Sequence, residues 1–173
     1  MYGRREPTIP RAWRLTSDRP DAGVNSTQPA RFDGATPRAL TAAGASTLSL
    51  VSEKDRYVVG HILFSPVTIE TAAGQVTAIG LAPMAVLPDQ QRKALEHGWC
   101  KGLAELRRLG HDAVVVVGHP EYYPRFGFKR ASQFGLRTEI DCPDEAFMAI
   151  ELRPGALAER AGMVRYRPEF HTA

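Results

Sequence analysis

The sequence predicts a mixed α/β fold of the α+β kind, with one mostly antiparallel central sheet flanked by helices. Three observations carry this. Two long β-rich runs, 57–69 and 76–87, follow one another with only a turn at Ala73 and Gly74 between them. A helical stripe comes next, with Leu95, Trp99, Leu103, Leu106 and Leu109 at three- and four-residue steps. Ala113 to Val117 is then an unbroken apolar run, the pattern of a strand buried on both faces. This order is not the strict alternation of a doubly wound parallel sheet.

The chain has 173 residues, the length of one domain. That is enough to bury a core without disulfide or metal staples. Its 15 glycines and 13 prolines follow no fixed period, so collagen-like and repeat architectures are excluded. Residues 1–32 hold Pro7, Pro10, Pro20 and Pro29 among charges and few periodic apolar positions. Such a stretch does not offset its ordering entropy, and it reads as an irregular N-terminal arm. Residues 33–173 form the single domain.

Within that domain the elements follow in order. Residues 36–45 read as a short helix, with Thr36 as N-cap and Pro37 at the first helical position. Thr47 to Ser52 is a strand, and Glu53 to Arg56 a polar turn. Tyr57 to Ile69 is β-rich but broken at Gly60 and Pro66. Val76 to Leu87 is β-rich as well, and Gly80 and Pro83 argue for a bulge or kink inside it. Together these runs make an antiparallel meander. Gly110 stops the long helix. Residues 119–126 read as a short helix interrupted at Pro124, 134–141 and 145–152 as two strands, and 154–173 as a polar tail.

Composition narrows the function. The net charge of +3, from 22 basic and 19 acidic residues, is too mild to argue for nucleic acid. Cys100 and Cys142 stand far apart with no clustered ligands, so no metal site is expected. Two free thiols suit a cytoplasmic chain. The first residues lack an apolar h-region, and no window approaches the roughly 18 apolar residues of a membrane span, so no membrane partner is expected. No Gly-x-Ser-x-Gly elbow and no phosphate-binding Gly-Lys-Ser/Thr loop occurs.

Two segments are specific. Leu81 to Glu96, LAPMAVLPDQQRKALE, is a bulged strand, a Pro turn and a basic loop opening the long helix. Val117 to Phe128, VGHPEYYPRFGF, is a strand end running into a short helix that closes with Tyr-x-x-x-Gly-Phe. In this order and separation the pair resembles the GNAT superfamily of acetyl-CoA-dependent N-acetyltransferases, and its small bacterial branch in particular. The resemblance runs from about residue 38 to about residue 170.

The resemblance implies a sheet that splays between the Val76–Leu87 strand and the strand ending at Gly118. The pantetheine arm of acetyl-CoA enters that splay and pairs with backbone groups near Met84, Ala85 and Val86. The reaction implied is direct attack of a primary amine on the thioester. Such a transfer needs a neutral amine, stabilisation of developing negative charge and an acid for the leaving thiolate. Tyr123, four residues before Gly127, occupies the family position of that acid. A phenol, with a reference pKa of about 10, is protonated at neutral pH and able to donate. His61 and His119 are candidates for the base, and neither is assigned. The acceptor amine is unidentified, and a monomer or homodimer fits equally.

The family's phosphate loop reads Gln/Arg-x-x-Gly-x-Gly/Ala. The matching residues here are Gln91, Arg92, Lys93, Ala94, Leu95 and Glu96. Gln91 fits, Arg92 and Lys93 supply positive charge, and Ala94 and Glu96 stand where glycines are expected. A carboxylate about 4 Å from a phosphate charge is repelled by about 4 kcal/mol at an effective dielectric near 20. That corresponds to roughly three decades of affinity. Residues 90–97 are also strong helix formers, with Asp89 as a possible N-cap, so the helix is expected to absorb the loop. The alternative reading is therefore a non-catalytic GNAT-fold binding protein with weakened or lost CoA binding.

Overall fold

The computed structural model of the chain describes residues 14–15, 46–54, 57–86 and 91–168. The expected helix over 36–45, the N-cap at Asp89 and most of the N-terminal arm lie outside them. Of the arm, Arg14–Leu15 forms a short strand, β1, antiparallel to residues 50–51.

β2 (Leu48–Lys54), β3 (Tyr57–Thr71) and β4 (Gly74–Val86) form the expected antiparallel meander. The expected turn at 53–56 is shorter, because Glu53 and Lys54 pair with Val58 and Tyr57. Pro66 does not break β3. It falls in the gap between the β2 ladder, which ends at Phe64, and the ladder of the last strand, which begins at Thr68. A missing N–H on that side leaves no ladder bond unmade.

The long helix α1 (Gln91–Arg108) follows, then β5 (Ala113–Val117) parallel to β4. The expected stop at Gly110 holds. Gly110 has φ +83°, its N–H donates to the Arg107 carbonyl at 3.1 Å, and that of His111 donates to the Leu106 carbonyl at 3.0 Å. This is a Schellman ending. Leu109 departs from the expected stripe: it lies past the helix end and is 46% exposed. Leu106 is fully buried and Leu103 packs beside the core. The side chains of Leu95 and Trp99 lie outside the described part.

The C-terminal third departs most from expectation. β6 (Lys129–Arg130), β7 (Leu136–Thr138) and β8 (Phe147–Glu151) are short, and 3-10 turns at Ala131–Phe134 and Asp144–Ala146 replace parts of the two expected strands. The expected polar tail contains a ninth strand, β9 (Gly162–Arg165), which pairs with both β3 and β7. Ala156, Leu157, Val164 and Tyr166 are buried there. Gly162 explains the close seat, since a Cβ on it would overlap the Glu70 carbonyl. Arg165 anchors the strand on Glu70 and Glu139, each at 3.0 Å.

The sheet order is β1-β2-β3-β4-β5-β8-β6, with β9 beside the far half of β3 and β7 beside β9. Side chains alternate across it. Leu50, Ile62, Phe64, Ile79, Leu81, Val114 and Val116 form a core with Leu106 of α1. Val67, Ile69, Ala78, Val115, Val164 and Tyr166 form a second core on the opposite face. Each large side chain buried in this way contributes about 1.5–3 kcal/mol.

Candidate active site

The sheet opens where β4 bends. Ile62 pairs with Met84 and Phe64 with Leu81, so Ala82 and Pro83 oppose Leu63 alone. This is the bulge expected near Gly80 and Pro83, and a bulge bends its strand. β5 pairs with β4 only at Ile79, Gly80 and Leu81. Past that point Met84, Ala85 and Val86 pair with Ile62, His61 and Gly60 of β3 and, among the described residues, with nothing on their other side. That edge offers a row of backbone N–H and C=O groups without ladder partners.

α1 begins at Gln91, so Gln91, Arg92, Lys93, Ala94 and Glu96 are all helical. This matches the expectation that the helix absorbs the loop. The consequence for the amides is different. The first four N–H groups of an α-helix have no intrahelical partner, so a helix whose described part opens at Gln91 can keep donors there even without glycine. Glu96 lies in the second turn, about 7.5 Å along the axis from Gln91. Its backbone therefore stands further from the helix start than the 4 Å at which the roughly 4 kcal/mol repulsion is expected. The first turn contains no acidic residue.

Tyr123 sits just beyond the opening. β5 ends at Val117, and the chain passes Gly118, His119 and Tyr122 into a 3-10 turn, Tyr123–Phe126, with Pro124 near its start. Gly127 ends the turn with φ +90°, a conformation glycine adopts without penalty. Tyr123 is buried, on the α1 side of the sheet, with Leu81, Val116 and Phe128 in the same core. Its ring meets Tyr122 edge-on at 5.2 Å between centroids, and Phe128 at 5.6 Å. A Cβ on Gly118 would overlap Cε2 of Tyr123 and stand 3.1 Å from its hydroxyl. The absent side chain thus lets the phenol lie against the end of β5. Burial, with a smaller effect from Tyr122, pushes the Tyr123 phenol well above its ordinary range.

The two histidines separate. His119 is exposed. His61 is half-buried in β3, opposite Ala85, and its Nε2 lies 2.9 Å from Ser49 Oγ. Burial lowers its pKa below the ordinary imidazole value. Gly118 and Ser49 were not singled out in the sequence. A glycine ending a β-branched run is a readable signal, whereas Ser49 has none.

Other polar clusters lie elsewhere. Asp112 bridges Arg153 at 3.0 Å and Arg160 at 3.3 Å beside an open surface pocket at the far end of α1. No group of three or more potential metal ligands occurs among the described residues. None of the described helices is long and apolar enough to cross a membrane.

A mixed sheet that opens between two parallel strands beside a buried tyrosine defines the acyltransferase architecture anticipated above. No family model matches the chain. Similarity to individual proteins is clear. The chain is 34% identical over 130 residues to Uncharacterized N-acetyltransferase YhbS of Escherichia coli K12, covering 74% of this chain and 77% of that protein. It is 37% identical over 100 residues to Uncharacterized N-acetyltransferase YjhQ of the same organism, covering 57% of this chain and 55% of the relative. Among solved structures, the Escherichia coli GNAT family N-acetyltransferase YhbS in complex with CoA aligns with a TM-score of 0.78 and 28% identity, covering 98% of this chain and 96% of that one. A GNAT family acetyltransferase from Brucella melitensis in complex with acetyl-CoA aligns at 0.65 with 31% identity, covering 92% and 98%. The chain belongs to the GNAT family of N-acetyltransferases.

Proposed function

We propose that the chain binds acetyl-CoA in the opening between β4 and β5 and transfers its acetyl group to a primary amine by direct attack on the thioester. The observation that carries this is the edge of β4 at Met84, Ala85 and Val86, unpaired among the described residues, with Tyr123 seated at the end of the neighbouring strand. The amides of a pantetheine arm suit that edge as an added strand would. Residues 87–90 connect it to the first turn of α1, so strand edge and helix start belong to one end of the molecule. The N–H groups of that turn and the charges of Arg92 and Lys93 suit a pyrophosphate. CoA and acetyl-CoA occupy the similar solved structures.

Acetyl-CoA supplies the activated carbonyl, and the protein supplies position and hydrogen bonds. Tyr123 donates its hydroxyl toward the leaving sulfur. A phenol held above its ordinary range stays protonated throughout the physiological range. Handing its proton outright to a thiolate, with a reference thiol pKa of about 8.5, is uphill. Tyr123 therefore acts chiefly through a donated hydrogen bond rather than by full transfer.

Calorimetric titration with acetyl-CoA tests the binding step, and release of free thiol in the presence of a primary amine tests the transfer. Heat with saturable one-site binding and amine-dependent thiol release are expected. No heat at millimolar acetyl-CoA rejects the reading in favour of the non-catalytic one.

A further inference from the structure

We propose that His61, oriented by Ser49, takes the proton from the acceptor amine during acetyl transfer. The inference rests on the amine acetylation proposed above and adds a residue to that site.

His61 pairs directly with Ala85, the middle residue of the stretch whose far edge has no partner among the described residues. Directly opposed residues in an antiparallel pair have Cβ atoms about 4.5–5.5 Å apart. The imidazole is thus rooted one strand in from the edge where the thioester would lie.

Ile62 and Phe64 point into the core beneath α1, so His61 and Leu63 point to the opposite face. Tyr123 belongs to the core on the α1 side. The opening in the sheet therefore has a donor for the leaving sulfur on one face and a nitrogen base on the other. A thioester carbonyl lying in the plane of the sheet is open to an amine from the face that carries His61.

Ser49 fixes the ring. Ser49 and His61 lie on the same face of the β2–β3 ladder, with Oγ and Nε2 at 2.9 Å. With the proton on Nε2 donated to Ser49 Oγ, Nδ1 carries the lone pair. The step then balances. The amine nitrogen forms the C–N bond, the C–S bond breaks with its pair leaving on sulfur, and the surplus N–H proton passes to Nδ1. The imidazolium keeps its Nε2–H bond to Ser49 and later releases the new proton to solvent.

The surroundings suit a neutral imidazole. On the face of His61, β2 carries Ser49 and Val51, Ala85 of β4 pairs with His61, and Arg14 of β1 is the charged residue that pairs with Val51 from the strand beyond. The charged residues of β2, Glu53 and Lys54, pair instead with Val58 and Tyr57 at the hairpin end. Burial is what lowers the pKa, so the base is unprotonated at neutral pH.

The test compares wild type with His61→Gln, His61→Ala and Ser49→Ala, using spermidine and a lysine-containing peptide as amine probes. Calorimetry with acetyl-CoA comes first; its failure in wild type counts against the binding site itself, not against the base. With acetyl-CoA affinity kept within twofold, His61→Gln should lower kcat/KM about a hundredfold and remove the rising limb of the pH profile. Added imidazole should partly restore His61→Ala. Ser49→Ala should lower kcat three- to tenfold and displace the limb while leaving KM for acetyl-CoA unchanged. A second readout needs no turnover: the His61 ring signals in proton NMR should move when acetyl-CoA is added to wild type. Wild-type kcat/KM with an unchanged pH limb in His61→Gln, or ring signals that ignore acetyl-CoA, overturns the proposal.

Discussion

Gly118 and Tyr123 are packed so closely that no other residue fits at position 118 without moving the ring. A Cβ there would stand 3.0 Å from Cζ of the phenol and overlap Cε2. The backbone at the end of β5 is in effect the floor on which the tyrosine rests. Gly118→Ala should push the hydroxyl outward by a fraction of an ångström to an ångström. Misplacement on that scale costs up to about a hundredfold in rate, and the overpacking itself costs about 1–3 kcal/mol of stability. The expected pattern is kcat down tenfold or more with a modest fall in Tm. Unchanged kcat in a folded variant would show that the ring position does not matter.

Tyr123→Phe removes the hydroxyl while keeping the ring and its contacts with Tyr122 and Phe128. Loss of a positioned proton donor costs about 10²–10⁴-fold. The lower end is expected here, since the phenol is proposed to act mainly as a hydrogen-bond donor. The dissociation constant of acetyl-CoA should stay within twofold by calorimetry. A variant that loses binding and turnover together points to a packing role instead.

Glu96 tests where α1 begins. The Glu96 backbone lies roughly 7.5 Å along the axis from Gln91, and a carboxylate at that separation from a phosphate charge interacts with it by about 0.5–2 kcal/mol for dielectrics between water and protein surface. Glu96→Gln should therefore tighten acetyl-CoA binding by no more than about thirtyfold. Ala94→Gly with Glu96→Gly should gain little more, because each glycine costs a helix about 1 kcal/mol. A thousandfold gain would mean that the carboxylate faces the phosphates directly and that the altered loop had impaired binding.

Gly102 shows propensity and packing in opposition. It lies within α1, where alanine is favoured by about 1 kcal/mol. A Cβ there would meet the Phe64 ring at 2.8 Å and Leu50 at 3.3 Å. Phe64 is fully buried, so the ring has no room to yield. Gly102→Ala should lower stability by about 1–3 kcal/mol in thermal or denaturant unfolding, despite the better helix former.

Much of this fold was legible because its signals are local. The meander from 48 to 86, the bulge near Pro83, the buried 113–117 strand and the Gly110 stop each follow from residues within one element or its ends. β9 was not legible. Its four residues, Gly-Met-Val-Arg, acquire strand structure only by adding to β3 and β7, which are distant in sequence. The same limit applies to the candidate site. Tyr123 stands in a recognisable segment, but its dependence on Gly118 is a tertiary contact. His61 could be named as a candidate base, yet Ser49, twelve residues away, meets it only through the β2–β3 register.

The pH dependence of stability follows from the same histidine. Its folded-state pKa is lowered below 6.5, so between those values the unfolded chain binds a proton that the folded chain does not. Stability from this group is present above pH 6.5 and is lost as pH falls through that window. Tyr123 acts at the other end. Its folded-state value is raised, so its contribution is intact below about pH 10 and is lost as the pH climbs further. Denaturant unfolding from pH 4.5 to 8 should give a steeper acid-side decline for wild type than for His61→Gln, with the two curves parallel above pH 7. Tyr123→Phe should leave that acid limb unchanged and, with the unfolding series carried past pH 10, flatten only the alkaline decline. An acid limb equally steep in wild type and His61→Gln would show that the imidazole is protonated as readily in the folded protein as in the unfolded chain.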